Sequence, residues 1–219
     1  MARTLSTAEA RKYYDRHSAK QDKQGWYEDK PLSEMCEHAQ LQDAASVLEF
    51  GCGTGRLAKD LLSDHLPETA TYIGQDLSPE MVARAKARIA PYTNRAEIRL
   101  TDGEIRFDVA DESRDRVMAC YVLDLLSDTD IDLFFSESHR VLKPGGLLCT
   151  ASLTQGTSPS SKLVSQMWSL VQKLAPNRVG GCRPLSLREK FDAQNWSVQH
   201  HQTVTASGVP SEVLIAKRI

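Results

Sequence analysis

The stretch "VLEFGCGTGRL", residues 47–57, narrows the possible folds more than any other part of the chain. Apolar residues suited to a buried strand run into glycines at 51, 53 and 55, and "GRLAKDLLSDHL" then reads as a helix. Glycine is needed where the backbone takes positive φ or where a ligand must lie against bare backbone. Three of them between a strand and a helix make a turn whose amides face outward at the helix N-terminus. In an open parallel sheet, ligands sit beyond the carboxyl ends of the strands. Gly51, Gly53 and Gly55 therefore point to a ligand over the first strand–helix turn. The bland alternative is a tight turn and nothing more.

The remaining pattern agrees with such a sheet. Strand candidates "ASVLEF", "ATYIGQD", "AEIRLTD", "DRVMACYVL" and "LLCTASL" alternate with helical "GRLAKDLLSDHL", "SPEMVARAKARIA" and "DTDIDLFFSESHRVL". This alternation predicts a Rossmann-like, doubly wound α/β fold with a mostly parallel sheet and helices on both faces. The end, "WSVQHHQTVTASGVPSEVLIAKR", alternates with period two and predicts an antiparallel hairpin around a Gly-Val-Pro turn. A capping box, Ser6 with Glu9, starts a helix over "TAEARKYYDRHSAK". Residues 153–195 form an insertion: flexible "TQGTSPSS", then amphipathic "SKLVSQMWSLVQKL", then a break at Pro176. Met167, Trp168, Leu170 and Val171 read as core packing, or more sharply as one wall of an acceptor pocket. A second capping box, Ser186 with Glu189, opens a helix at "LREKFDAQ". The expected organisation is one domain, 1–219: a helical cover (1–44), a ligand-binding core (45–152), the insertion (153–195) and the hairpin (196–219).

Bulk properties exclude several classes. A chain of 219 residues with 41% hydrophobic content suits one domain with a full core. No apolar run reaches eighteen residues, so no transmembrane segment is expected, and "MARTLSTAEARKYY" lacks a secretory signal. Five cysteines form no CxxC or Cys/His cluster, which predicts reduced thiols in the cytoplasm and no metal. With 27 basic against 29 acidic residues, the chain has no electrostatic footprint for nucleic acid.

Which ligand the turn holds follows from its neighbours. A dinucleotide fingerprint is G-x-G-x-x-G, but here Arg56 occupies the third-glycine position. Glu49, two residues before the first glycine, would repel a pyrophosphate and tolerate a ligand bearing ammonium and sulfonium groups. "VLEFGCGTGRLA" resembles motif I of the class I S-adenosylmethionine (SAM)-dependent methyltransferases, and "YIGQDLSPEMVARAKAR", "LTDGE", "DRVMACYVLDLL" and "RVLKPGGLL" continue that likeness over residues 45–152. The small-molecule branch that includes quinone-biosynthesis methyltransferases is the nearest in pattern. The resemblance implies cofactor contacts from Glu49, Gly51, Gly53 and Gly55. It also implies that Asp76 takes the ribose hydroxyls, Leu77 packs on adenine, Asp102 accepts from the adenine amino group and Gly103 offers its amide. Cys120 and Tyr121, ending strand four, would face the methionine part of the cofactor or else belong to the core.

Catalysis is less marked in the sequence. Methyl transfer mainly requires the acceptor to be positioned, with a base only where a proton must leave. Tyr14 and His17 lie three apart on one face of the N-terminal helix and are candidates for that role, against a solvated helix face as the plainer reading. Arg183, flanked by "VGGC" and Pro184, would suit an anionic acceptor group, or else a loop salt bridge. Signatures of amino-methylating nucleic-acid enzymes, of cytosine-attacking cysteines and of magnesium-holding catechol enzymes are missing at the corresponding positions. The expected activity is methyl transfer from SAM to an O, N or C atom of a small-molecule or lipid-like acceptor, releasing S-adenosylhomocysteine (SAH). A non-catalytic SAM-binding regulator and an NAD(P)-dependent oxidoreductase are the alternatives.

Overall fold

The computed structural model describes residues 4–175 and 180–219. Seven strands, β1 (Ser46–Phe50), β2 (Thr71–Asp76), β3 (Ala96–Leu100), β4 (Arg114–Cys120), β5 (Leu142–Leu153), β6 (Trp196–Ala206) and β7 (Val209–Arg218), form one sheet. Their order is β3-β2-β1-β4-β5-β7-β6, with β7 antiparallel to β5 and β6 and the other pairs parallel. The chain runs outward in opposite directions from β1 and β4, so the crevice for a ligand opens at their carboxyl ends.

Helices α1 (Thr7–Gln21), α2 (Gly25–His38), α3 (Arg56–Asp60), α4 (Pro79–Arg88), α5 (Asp128–Val141) and α6 (Pro159–Leu174) surround the sheet. Ser6 and Glu9 form the capping box on α1, and Ser78 caps α4 by accepting from the Met81 amide. Two apolar layers confirm the double winding. One holds Met35, Leu61, Val82 and Met118 with α2, α3 and α4; the other holds Leu48, Phe107, Phe134 and Leu148 with α5. Each fully buried side chain of this size stabilises the fold by about 1.5–3 kcal/mol.

Helix α5 stops at Val141, and Lys143-Pro144-Gly145-Gly146 enters β5 as an irregularity: Arg114 pairs Leu142, yet Arg116 pairs Leu147. Three local expectations need correction. The hairpin turns at Ser207 and Gly208, both at positive φ, because a tight turn must match the strands' right-handed twist; Val209 and Pro210 already belong to β7. Over 188–190 the chain makes only one 3₁₀ turn, with Leu187 and Phe191 buried on either side of it. On α6, Trp168 turns inward and donates to the Cys182 carbonyl, while Met167, Leu170 and Val171 are exposed rather than core. The break placed at Pro176 lies outside the described residues.

Candidate functional site

The turn from β1 to α3 is built from backbone. Gly51 and Cys52 both donate to the Gln75 carbonyl, at 2.8 and 2.9 Å, which locks the turn to the end of β2. All three glycines have positive φ, yet their surroundings differ. A Cβ on Gly51 would stand 2.6 Å from Val122 Cγ2, and one on Gly55 would stand 2.9 Å from Ala85 Cα. At Gly53 it would meet nothing within 4 Å. Two glycines let neighbours close in, and the middle one leaves bare backbone facing open space.

That space is a cleft of about 1330 Å³ including its open mouth, bounded by the ends of β1, β2 and β4 and covered by α1 and α2. Glu49, Gly51, Gly53, Asp76, Leu77 and Cys120 all line it, as do Gly103 and Tyr14. Asp76 Oδ2 accepts from the Gly53 amide at 2.9 Å and Oδ1 from the Ser78 amide at 2.8 Å. Burial raises the Asp76 pKa, while the amides of Ser78, Gly53 and Leu77 oppose that rise. Glu49 is 3% exposed and accepts a short hydrogen bond from the Tyr72 hydroxyl. Burial pushes its carboxyl up to about 7, with Tyr72 working against the shift and Asp76 adding to it. Gly103 has φ +94°, and a Cβ there would stand 2.3 Å from Thr7 Cγ2, so the first residue of α1 rests on this wall.

Other candidates fall elsewhere. Asp102 is exposed and accepts from the Glu104 amide at 3.0 Å, closing its own turn; Thr101 and Gly103 line the wall instead. His17 does not line the cleft; it donates from Nδ1 to the Tyr13 carbonyl and stacks on the Tyr13 ring at 4.3 Å. Tyr14 donates to the Gly180 carbonyl at 3.3 Å, and burial raises its pKa. Arg183 Nη2 donates to the Leu126 carbonyl and Asp128 Oδ1 at 2.9 and 2.8 Å, so it braces a lining segment without lining the cleft itself. Gly55 sits behind the turn, against α4.

Sequence reasoning missed the residues that α2 brings in. Glu28 lines the cleft at 6% exposure, with Oε2 held by Arg56 at 2.9 Å. Arg56 also pairs with Asp29. A signal was present: Glu28, Leu32, Met35 and Ala39 share one helical face, all buried, and a carboxylate heads that otherwise apolar row. Asp22 accepts from Thr54 at 2.6 Å and from Arg88 at 2.6 Å, joining the end of α1 to the glycine turn and α4.

Residues 47–146 match the family described as "Methyltransferase domain". The chain is 32% identical over 158 residues to a malonyl-[acyl-carrier protein] O-methyltransferase of Marinomonas sp. strain MWYL1, covering 72% of this chain and 55% of that relative. It is 37% identical over 110 residues to the protein of the same description from Hahella chejuensis, covering 50% and 37% respectively. It thus spans about half the length, or less, of these curated relatives. In fold it is similar to the N-methyltransferase NodS of Bradyrhizobium japonicum WM9 in complex with SAH. That likeness has a TM-score of 0.63 at 17% identity, over 87% of this chain and 86% of that one. No helix among the described residues is long and apolar enough to cross a membrane. Sheet order, glycine turn and family match agree: residues 47–146 form a class I SAM-dependent methyltransferase domain.

Proposed function

We propose that the protein transfers a methyl group from SAM to an O, N or C atom of a small-molecule or lipid-like acceptor, releasing SAH. The observation that carries this reading is the open space over Gly53 beside Asp76. Each Asp76 oxygen already accepts one amide and keeps a further lone-pair direction for a ribose hydroxyl. Leu77, Gly103, Glu49 and Cys120 all line the cleft, and in this reading the first two receive the adenine and the last two face the methionine part. Bound SAM supplies an electrophilic methyl on a sulfonium, whose bonding pair stays on sulfur when the methyl leaves. The chain's share is to hold, orient and exclude water, which α1 and α2 do by roofing the cleft. The relatives that act on malonyl-acyl-carrier protein support a carrier-borne acceptor within the same class. Five free thiols support a reducing compartment such as the cytoplasm.

Isothermal titration with SAM, SAH and NAD tests the cofactor, and SAM-dependent methyl release across a metabolite panel tests the activity. SAM and SAH should bind and NAD should not. A well-folded sample that ignores SAM at about millimolar levels, weaker than about −4 kcal/mol, sinks the proposal.

A pH dependence follows from Glu49. Its folded pKa of about 7 lies above the ordinary carboxyl value, so the fold favours the neutral form. Stability therefore falls as pH climbs from the unfolded value through about 7, then levels off. A cationic cofactor favours the ionised form, so SAM affinity should rise across the same window with proton release. SAH, which lacks the sulfonium charge, should respond less, and Glu49→Gln should flatten the SAM profile. A flat wild-type profile in titrations on either side of about 7 would remove Glu49 from this role.

A further inference from the structure

Charge at the cleft is lopsided. Among the described residues, its lining holds Asp22, Glu28, Glu49, Asp76 and Asp130 against one cation, Arg56. Most of these acids are answered: Asp22 by Arg88, Glu49 by Tyr72, Asp76 by backbone amides and Asp130 by Ser127. Arg56 is itself fully engaged by Glu28 and Asp29. Of these acids, Glu28 alone has a fully buried oxygen left over. Its Oε1 is buried without a hydrogen-bond partner, while Oε2 is fixed by Arg56. Burial raises the Glu28 pKa, and Arg56 and the neighbouring Tyr27 hydroxyl oppose that.

A second buried acid lies close to Glu28. Asp124, just after β4, is completely buried, and neither of its oxygens makes a geometrically sound hydrogen bond. Burial raises its carboxyl to about 7 against the pull of its own amide and that of Leu153, and Glu28 adds to the rise. Tyr14 and Tyr121 line the same cleft as Glu28, and Tyr27 meets the Tyr121 ring edge-on at 5.7 Å. Tyr121 holds φ +53°, a strained backbone for a bulky residue, with its hydroxyl on Ser211 at 2.9 Å. Strain of this kind persists where the surroundings over-determine it, and here it fixes an aromatic side chain at the end of β4.

An ammonium has donors and no acceptor, so it satisfies a lone carboxylate oxygen and is attracted by aromatic faces. A carboxylate would meet Glu28 with no uncommitted cation among the described lining residues to receive it. We infer that the acceptor is an amine, bound as its ammonium ion on Glu28 Oε1 with Tyr14 and Tyr121 as walls. This rests on the methyl-transfer reading above, narrows it to nitrogen and sets this chain's acceptor apart from that of its O-methylating relatives. The contact also serves proton removal: one N–H bond breaks, an O–H bond forms on Glu28, and the electron pair stays on nitrogen. Nitrogen then has the lone pair that a nucleophile needs.

Two probes of one shape and opposite charge decide the point. SAH-saturated protein is titrated with benzylamine and, separately, with phenylacetate. Benzylamine should bind at least about ten-fold more tightly, ~1.4 kcal/mol, and Glu28→Gln should erase the preference while SAH affinity is kept. Equal or tighter binding of phenylacetate, binding of neither probe, or a preference that survives Glu28→Gln overturns the inference. Should the variant melt early, the wild-type ratio alone decides. SAH titration of the same sample reports separately on the cofactor, so failure there strikes the methyl-transfer reading rather than the amine.

Discussion

Asp76→Ala should weaken SAM binding by about 1.5–3 kcal/mol, roughly ten- to 150-fold in Kd, the cost of losing a charged hydrogen-bond partner. The carboxylate stands at the end of β2 beside the open face of Gly53, where two hydroxyls of a ribose would each find an oxygen. Its removal also frees the Gly53 and Ser78 amides, so part of the loss is local order in the turn. Asp76→Asn separates the two contributions. It keeps one acceptor oxygen and the side-chain shape, gives up the charge, and should fall between wild type and alanine. Calorimetric Kd values read beside melting temperatures provide the check. Near-unchanged SAM affinity in Asp76→Ala would remove this residue from the cofactor site.

Alanine scanning of the glycine turn should split stability from affinity. Gly55→Ala places a Cβ 2.9 Å from Ala85 Cα at φ +72°, and backbone there cannot give way as a side-chain tip can. The positive φ alone costs of order 1–3 kcal/mol, and displacement of α4 adds to it. Melting should drop by about 2–4 °C per kcal/mol for a chain of this length. Gly53→Ala bears only the backbone penalty, because its Cβ meets no protein atom. Its methyl group projects into the cleft, so its main effect should be on SAM affinity, larger than its effect on melting. Equal effects of both variants on both readouts would contradict the division of labour read from the turn.

How much of this was legible in the chain depends on the range of the contacts involved. The sheet followed from periodicity and caps, which are local: Ser78 capping α4 needs only Met81, three residues on. Gly51, Asp76 and Cys120 fell on one cleft because parallel strands deliver their carboxyl ends to the same edge. Contacts between distant segments were not legible. Glu28 meets Arg56 across 28 positions, and Tyr121 meets Ser211 across 90, with no periodic pattern to announce either. Arg183 and Asp102 show how far residue type alone reaches. Residue type suggested ligand chemistry, and in the fold each has a nearby polar group that takes its side chain. Apolar spacing on α6 implied burial, but spacing shows only that residues share a face, not that the face has a partner.

Helix α1 has a consequence for turnover. Only Ala10 and Ser18 are buried along its fifteen residues, and it is fastened to α4 chiefly by polar ties: Ser78 to Asp15, Arg84 to Ser18, and Arg88 to Asp22 just beyond its end. A segment held this way has little apolar area to lose on detaching, so it belongs to the part of a protein that opens first. Because it roofs the cleft, the off-rate of SAH should follow that opening. Counter-ions that weaken the Arg88–Asp22 link should quicken the exchange without touching the chemistry beneath.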